Sequence, residues 1–188
     1  MHIIYLHGFA SSAASFKAQL IKEFINKFDE HSVFLADLPV NPKQAVSMIE
    51  HHIQSLGKDD WVMVGSSLGG FYATYLCEKY QKKGVLINPA VKAQVLLTAR
   101  LGDNVNYQTG KHFTLTPDHI KQLEGMYLPS LIYPQNLLLL TQTADEVLDY
   151  KEGVEYYEGC EQVIIKGGNH GFDDYENYLD KTLAFLTR

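Results

Sequence analysis

The segment Gly65-Ser66-Ser67-Leu68-Gly69-Gly70 carries the pattern G-x-S-x-G, with Ser67 in the nucleophile position and Ser66 as a variable flank. A strand that turns sharply into a helix puts its turn residue in a strained backbone conformation. Side chains two residues before and after would collide there, so both places favour glycine. The hydroxyl is thereby lifted over the carboxyl end of a sheet, where ligands of α/β proteins bind, and faces the amides of a new helix. The context fits: Trp61-Val62-Met63-Val64 reads as a buried strand entering the motif, and Phe71, Tyr72, Tyr75 and Leu76 recur at helical spacing after it.

A serine hydroxyl is a poor nucleophile at neutral pH. An imidazole must take its proton, and a carboxylate must fix the ring's tautomer and steady the imidazolium. Around a serine turn of this kind the members follow in the order serine, acid, histidine. Of the eight histidines, that order removes His2, His7, His31, His51 and His52. His112 and His119 precede any acid at the end of a later strand. His170, in Lys166-Gly167-Gly168-Asn169-His170-Gly171, follows the last strand on a glycine-flanked loop and is the candidate base. The acid should end the preceding strand, and Leu137 to Gln142 leads to Asp145, Glu146 and Asp149. Asp145 is preferred as the first carboxylate. Glu146 points the other way along an extended backbone, and Asp149 is placed to cap the next helix. Asp173 and Asp174 follow His170 too closely.

Acyl transfer also needs donors for the charge on a tetrahedral intermediate, and losing one costs about 3 kcal/mol in the barrier. The Leu68 amide is one candidate. The other is the Phe9 amide in Leu6-His7-Gly8-Phe9, after the first strand, where His7 reads as a brace of the turn and not as a base.

Positioning these groups requires a sheet. Short apolar runs recur at His2–Leu6, Val33–Ala36, Trp61–Gly65, Val85–Asn88, Leu137–Thr141 and Gln162–Lys166. They predict about six buried strands. Helical spacing between them, as in Phe16, Leu20, Phe24, Phe28 or Ala45, Ile49, Ile53, Leu56, supplies crossovers. This alternation predicts an α/β fold, a mainly parallel sheet with helices on both faces, in a single domain over residues 1–188. One interval breaks the rhythm. From about 91 to 135 the chain holds a helical stretch (Ala93–Arg100), a polar turn (Asn104–Gly110) and a Thr116-Pro117 helix start, which reads as a lid-like insertion.

Composition narrows the classes. A formal net charge of −6 and the absence of a basic, aromatic-interleaved run oppose nucleic-acid binding. No apolar stretch is long enough for a membrane span, and the N-terminal run is too short for a signal peptide, so a cytoplasmic protein is expected. Cys77 and Cys160 form no framework and no metal motif; they read as reduced packing residues, and neither metal nor cofactor is called for. Tyr156, Tyr157, Tyr175 and Tyr178 read as packing residues, and His51-His52 as a solvated helix surface.

Over essentially its whole length the chain resembles the YqiA-like family of small bacterial esterases, of the α/β-hydrolase superfamily. The resemblance rests on Tyr5–Phe9, Val64–Gly70, Val85–Ala90, Asp145–Tyr150 and Gly167–His170, with part of the insertion from Leu101 to Asn104 and on to Thr109-Gly110. It implies a three-layer α/β-hydrolase fold and a triad of Ser67, Asp145 and His170. It also implies a small-molecule substrate, a carboxylic ester or an acyl-CoA thioester. Two other readings stay open on sequence: an acyltransferase with the same triad, and a ligand-binding receptor on a hydrolase scaffold.

Overall fold

Alternation of side chains along each strand sends neighbouring residues to opposite faces of a sheet, and here both faces are apolar. Ile3 and Tyr5 face one way and Ile4 and Leu6 the other; Leu138 and Leu140 oppose Leu137 and Leu139 in the same manner. A computed structural model describes residues 1–188.

Six parallel strands build the main sheet: β1 (His2–Leu6), β2 (Ser32–Leu35), β3 (Trp61–Ser66), β4 (Gly84–Ile87), β7 (Leu137–Gln142) and β8 (Glu161–Ile165), in the order β2-β1-β3-β4-β7-β8. Each of the six predicted strands is present, with ends shifted by a residue or so. On one face, α1 (Phe16–Ile25) and α7 (Leu179–Leu186) pack Ile21, Ile25, Phe185 and Leu186 against Ile3, Val62, Val85 and Leu138. The other face is covered by α2 (Pro42–Ser55), α3 (Leu68–Tyr80), α4 (Ala93–Thr98), α5 (Pro117–Glu124) and α6 (Tyr150–Tyr156). None of the helices is long and apolar enough to cross a membrane.

The buried stripe of α1 differs from the one that spacing predicts. Ala18, Ile21 and Ile25 face the sheet with Leu20 and Phe24 packed partly buried beside them, whereas Phe16 is 70% exposed and Phe28 meets Phe24 edge to face at 5.4 Å. The helix ends at Ile25, so Phe28 never joins its face, and small Ala18 lets the helix lie close to the strands.

The interval between β4 and β7 also holds more than expected. Between α4 and α5, β5 (Gly102–Val105) and β6 (His112–Leu115) form an antiparallel hairpin whose tip is the predicted polar turn. Both strands are short and half-exposed, so they lack a buried-strand signature. Helix α4 stops at Thr98, two residues short of the predicted end. Helix α5 starts as predicted, with Thr116 as N-cap and His119 closing a capping box.

The chain leaves β1 toward β2 on one side and returns to β3 on the other. The crevice at the carboxyl ends of β1 and β3 is therefore the topological switch point, where ligands of open α/β sheets bind.

Candidate active site

Ser67 sits at that crevice, between the last residue of β3 and the first of α3, with φ 54° and ψ −119°. This conformation lies outside the regions that L-residues ordinarily adopt, so the surrounding contacts must hold it. They do: the Ser67 amide donates to Ile87 O at 3.0 Å, and the Ser67 carbonyl accepts from Gly70 at 2.9 Å and Ala90 at 3.1 Å. Two glycines make the turn sterically feasible. A Cβ on Gly65 would run into the Gly69 backbone, and one on Gly69 into the carbonyl of Leu6.

The loop after β8 carries His170 back over this turn. Its Nε2 lies 3.0 Å from Ser67 Oγ, and its Nδ1 lies 2.8 Å from Asp145 Oδ2. Asp145 stands in the turn after β7, and its other oxygen accepts from the amides of Val147 at 2.9 Å and Leu148 at 2.8 Å. Burial by itself would raise the Asp145 carboxyl. The bond from His170 and the two amides outweigh it and hold the group below the usual carboxylate range. An acceptor-only carboxylate at Nδ1 leaves the proton on Nδ1 and makes Nε2 the acceptor for the serine hydroxyl.

Three side chains that sequence reasoning passed over fix the histidine loop. Asn88, at the end of β4 with φ 40° and 2% exposed, donates through Nδ2 to the carbonyls of Asn169 at 3.0 Å and His170 at 3.2 Å, while its Oδ1 accepts from Gln142 N at 3.0 Å. Gln142, at the end of β7, accepts from the amides of Asn169 at 3.0 Å and Asp173 at 2.9 Å and donates to Asp173 O at 2.8 Å. Gly168, at φ 73°, leaves room for the Gln142 amide, into which a Cβ would intrude. Glu146 accepts from His170 N at 3.0 Å, because the chain turns at Thr143-Ala144 and does not continue extended. The signal in the sequence was a polar residue closing each of two otherwise apolar strands, Asn88 after VLI and Gln142 after LLLLT. Asp149 takes the part read for it, capping α6 through Lys151 N at 3.0 Å.

Across the crevice, Gly8 packs directly on the serine: a Cβ built there would lie 3.2 Å from Ser67 Cβ. The Phe9 amide makes no hydrogen bond within the protein, and the Leu68 amide is the first of α3, where helices leave their N–H groups without intrahelical partners. Leu68 thus follows Ser67 directly, and Phe9 follows the glycine that packs on it. His7 braces the Gly8-Phe9 loop. Its Nε2 accepts from Leu38 N at 2.9 Å and its Nδ1 donates to Gly8 O at 2.9 Å, and burial pushes its pKa down, keeping the ring neutral. The hairpin tip adds a second support, with Tyr107 N donating to Ala10 O at 2.8 Å, Asn106 Nδ2 donating to Ser11 O at 2.8 Å, and Phe113 meeting Phe9 edge to face at 5.5 Å.

Two cavities meet at Ser67, Phe9 and His170. One, of about 560 Å³, includes Tyr5, Ser11, Ser15, Lys17, Gln108, Phe16 and the stretch from Gly171 to Asp174. The other, of about 340 Å³, is walled mainly by Ala90, Ala93, Leu96, Leu97, Val147 and Leu148. Consecutive residues of the hairpin tip divide them, Tyr107 lining the smaller cavity and Gln108 the larger one. The remaining histidines lie elsewhere: His112 is exposed on β6, and His119 serves its capping box. His51 is solvated as expected, whereas His52 stacks on Phe34 at 3.6 Å. Tyr157 and Tyr175 are buried packing residues.

The fold is shared with solved α/β-hydrolases. Est1E from Butyrivibrio proteoclasticus superposes with a TM-score of 0.75 at 18% identity, covering 100% of this chain and 88% of that one. Mouse alpha/beta hydrolase domain-containing protein 10 gives 0.68 at 19% identity, with coverage of 99% and 87%. A monoacylglycerol lipase from Paleococcus ferrophilus gives 0.70 at 16% identity, with coverage of 98% and 93%. The family model described as an uncharacterised protein family, UPF0227, matches residues 2–187, and the chain therefore belongs to UPF0227, the YqiA family.

Proposed function

We propose that the protein is a serine hydrolase that cleaves carboxylic esters through an acyl-enzyme, with Ser67 as nucleophile, His170 as general base and acid, and Asp145 orienting the ring. The observation that carries this reading is the continuous chain Ser67 Oγ to His170 Nε2 to Asp145 at 3.0 and 2.8 Å, built on a strained, glycine-flanked turn. Ser67 Oγ attacks the carbonyl carbon while its proton moves to His170 Nε2. The carbonyl oxygen becomes an anion facing the amides of Phe9 and Leu68. As the ester C–O bond breaks, His170 passes the proton to the leaving alcohol. Water then repeats the sequence on the acyl-serine, giving the acid and free Ser67. Asp145 stays ionised throughout and stabilises the imidazolium. In this reading the 91–135 segment is a cover, since its hairpin tip lines both cavities and α4 walls the smaller one. Esterases and a lipase among the fold neighbours accord with this class.

The test is labelling by a fluorophosphonate probe, alongside turnover of simple 4-nitrophenyl esters. Wild-type protein should label at Ser67 and turn over, and Ser67→Ala should do neither. Labelling that persists in Ser67→Ala refutes the assignment.

A further inference from the structure

The carbonyls of three consecutive residues around His170 each accept from a side chain. Asn88 Nδ2, at the end of β4, serves Asn169 O and His170 O. The third, Gly171 O, accepts from Lys17 Nζ at 2.5 Å. Lys17 is the second residue of α1, 154 positions away in sequence, so the loop is held from that helix as well as from the strand ends. It lines the same cavity as Ser67 and His170, and its ammonium lies near enough to Asp145 to feel that charge. Gly171 O is its hydrogen-bond acceptor within the protein, and no carboxylate forms an ion pair with it.

Stability does not account for a lysine at this place. The first turn of a helix carries partial positive charge and disfavours a cation, and burial in the crevice pushes the ammonium down to about 8, with Asp145 countering only part of the shift. A methionine of similar length would fill the space without that cost. A charged group kept against its own preference beside reacting side chains argues for a part in the reaction. The groups that face it are Asp145 and His170, then Asp173, Asp174 and Glu176 after the loop, and Tyr5 from β1, whose phenol burial raises above its ordinary value.

We propose, resting on the hydrolase reading above, that Lys17 is a positioning residue for His170: its ammonium, bonded to Gly171 O, fixes from α1 the turn that sets the imidazole against Ser67. Asn88 and Gln142 fix the same turn from the strand side. A hydrogen bond from a charged donor is roughly twice as strong as one from a neutral donor. Loss of the Lys17 proton therefore slackens the tie, and Nε2 drifts from Ser67 Oγ.

The experiment measures kcat and KM for a 4-nitrophenyl ester from about pH 6.5 to about pH 9.5, with the rate of fluorophosphonate labelling, in wild type, Lys17→Met and Lys17→Arg. In the wild type kcat should fall severalfold through an alkaline limb near pH 8. Lys17→Met should be about tenfold slower in kcat and in labelling at neutral pH, with KM changed less than about twofold and with no alkaline limb. Lys17→Arg, a cation that keeps its proton throughout, should restore most of the rate and remove the limb. Packing alone would leave the pH profile the same in all three proteins. A Lys17→Met protein as fast as wild type, or a limb that persists in Lys17→Arg, overturns this inference alone, and the second result decides even where Lys17→Met does not fold. A wild type that neither labels at Ser67 nor turns over any ester overturns the hydrolase reading itself.

Discussion

The Asn106 side chain ties the hairpin tip to the loop after β1, donating from Nδ2 to the Ser11 carbonyl at 2.8 Å while its Oδ1 accepts from Gln108 and Thr109, each at 2.9 Å. One residue thus shapes the tip and fastens it two positions beyond Phe9. Asn106→Asp keeps the acceptor that forms the turn and loses the donor to Ser11. Its kcat should fall about tenfold while KM changes little, because a shifted Phe9 amide weakens transition-state stabilisation first. Steady-state kinetics on a 4-nitrophenyl ester checks this, and an unchanged kcat would show that the tie does not bear on Phe9.

Replacing Ser67 or His170 by alanine should lower kcat on the order of 10⁶-fold, and Asp145→Asn about 10⁴-fold through the wrong imidazole tautomer. Asp145 links pH to stability. Its carboxyl titrates lower when folded than when unfolded, so its contribution is present above the unfolded value of about 3.9 and is lost as pH falls through the folded one. Thermal unfolding followed from pH 6 downward should show a shallower acid loss for Asp145→Asn than for wild type.

Asn88→Ala removes one acceptor and one donor from a buried junction and leaves Gln142 N without its partner. A destabilisation of about 2 kcal/mol is expected in denaturant unfolding. Gln142→Ala frees the amides of Asn169 and Asp173, which should cost kcat about tenfold by loosening His170 while fluorophosphonate labelling slows in parallel.

Burial pushes the Lys17 ammonium down to about 8, partly countered by the Asp145 carboxylate. The folded chain therefore holds this proton less tightly than the unfolded chain. The resulting penalty is full below pH 8 and is relieved as pH rises toward the ordinary lysine value of about 10.4. Between those values, the stability of Lys17→Met relative to wild type should fall. A difference independent of pH would mean that Lys17 titrates as a solvated side chain.

The order of strands and the serine turn were legible because buried parallel strands are short and uniformly apolar, and because the backbone at residue 67 demands glycine at 65 and 69. His170 and Asp145 followed from chain order. The braces were not legible: Asn88 and Gln142 look like ordinary strand ends until the loops they bind are folded beside them, and their partners lie as far off as Asn169 and Asp173. Glu146 reaches the backbone of His170 because the chain turns after Gln142, where an extended strand would aim it away. The hairpin is hidden in the sequence because Gly102–Val105 and His112–Leu115 carry too few apolar residues, over too short a span, to outweigh the polar turn between them.

Strand β8 pairs on one side only, with β7, and leaves Ile164 47% exposed at the rim. Ser67 belongs to the middle of the sheet, whereas the loop bearing His170 leaves its frayable border. Opening of that border withdraws the base from the serine while β1, β3 and β4 keep their pairing, so heat should silence the enzyme before it melts the molecule. Amide hydrogens of 161–165 should exchange ahead of those of 61–66, and activity should disappear at a temperature below the loss of bulk circular dichroism. In the proposed mechanism Ser67 is thus the durable half of the pair, and the sheet's edge should set the lifetime of catalysis.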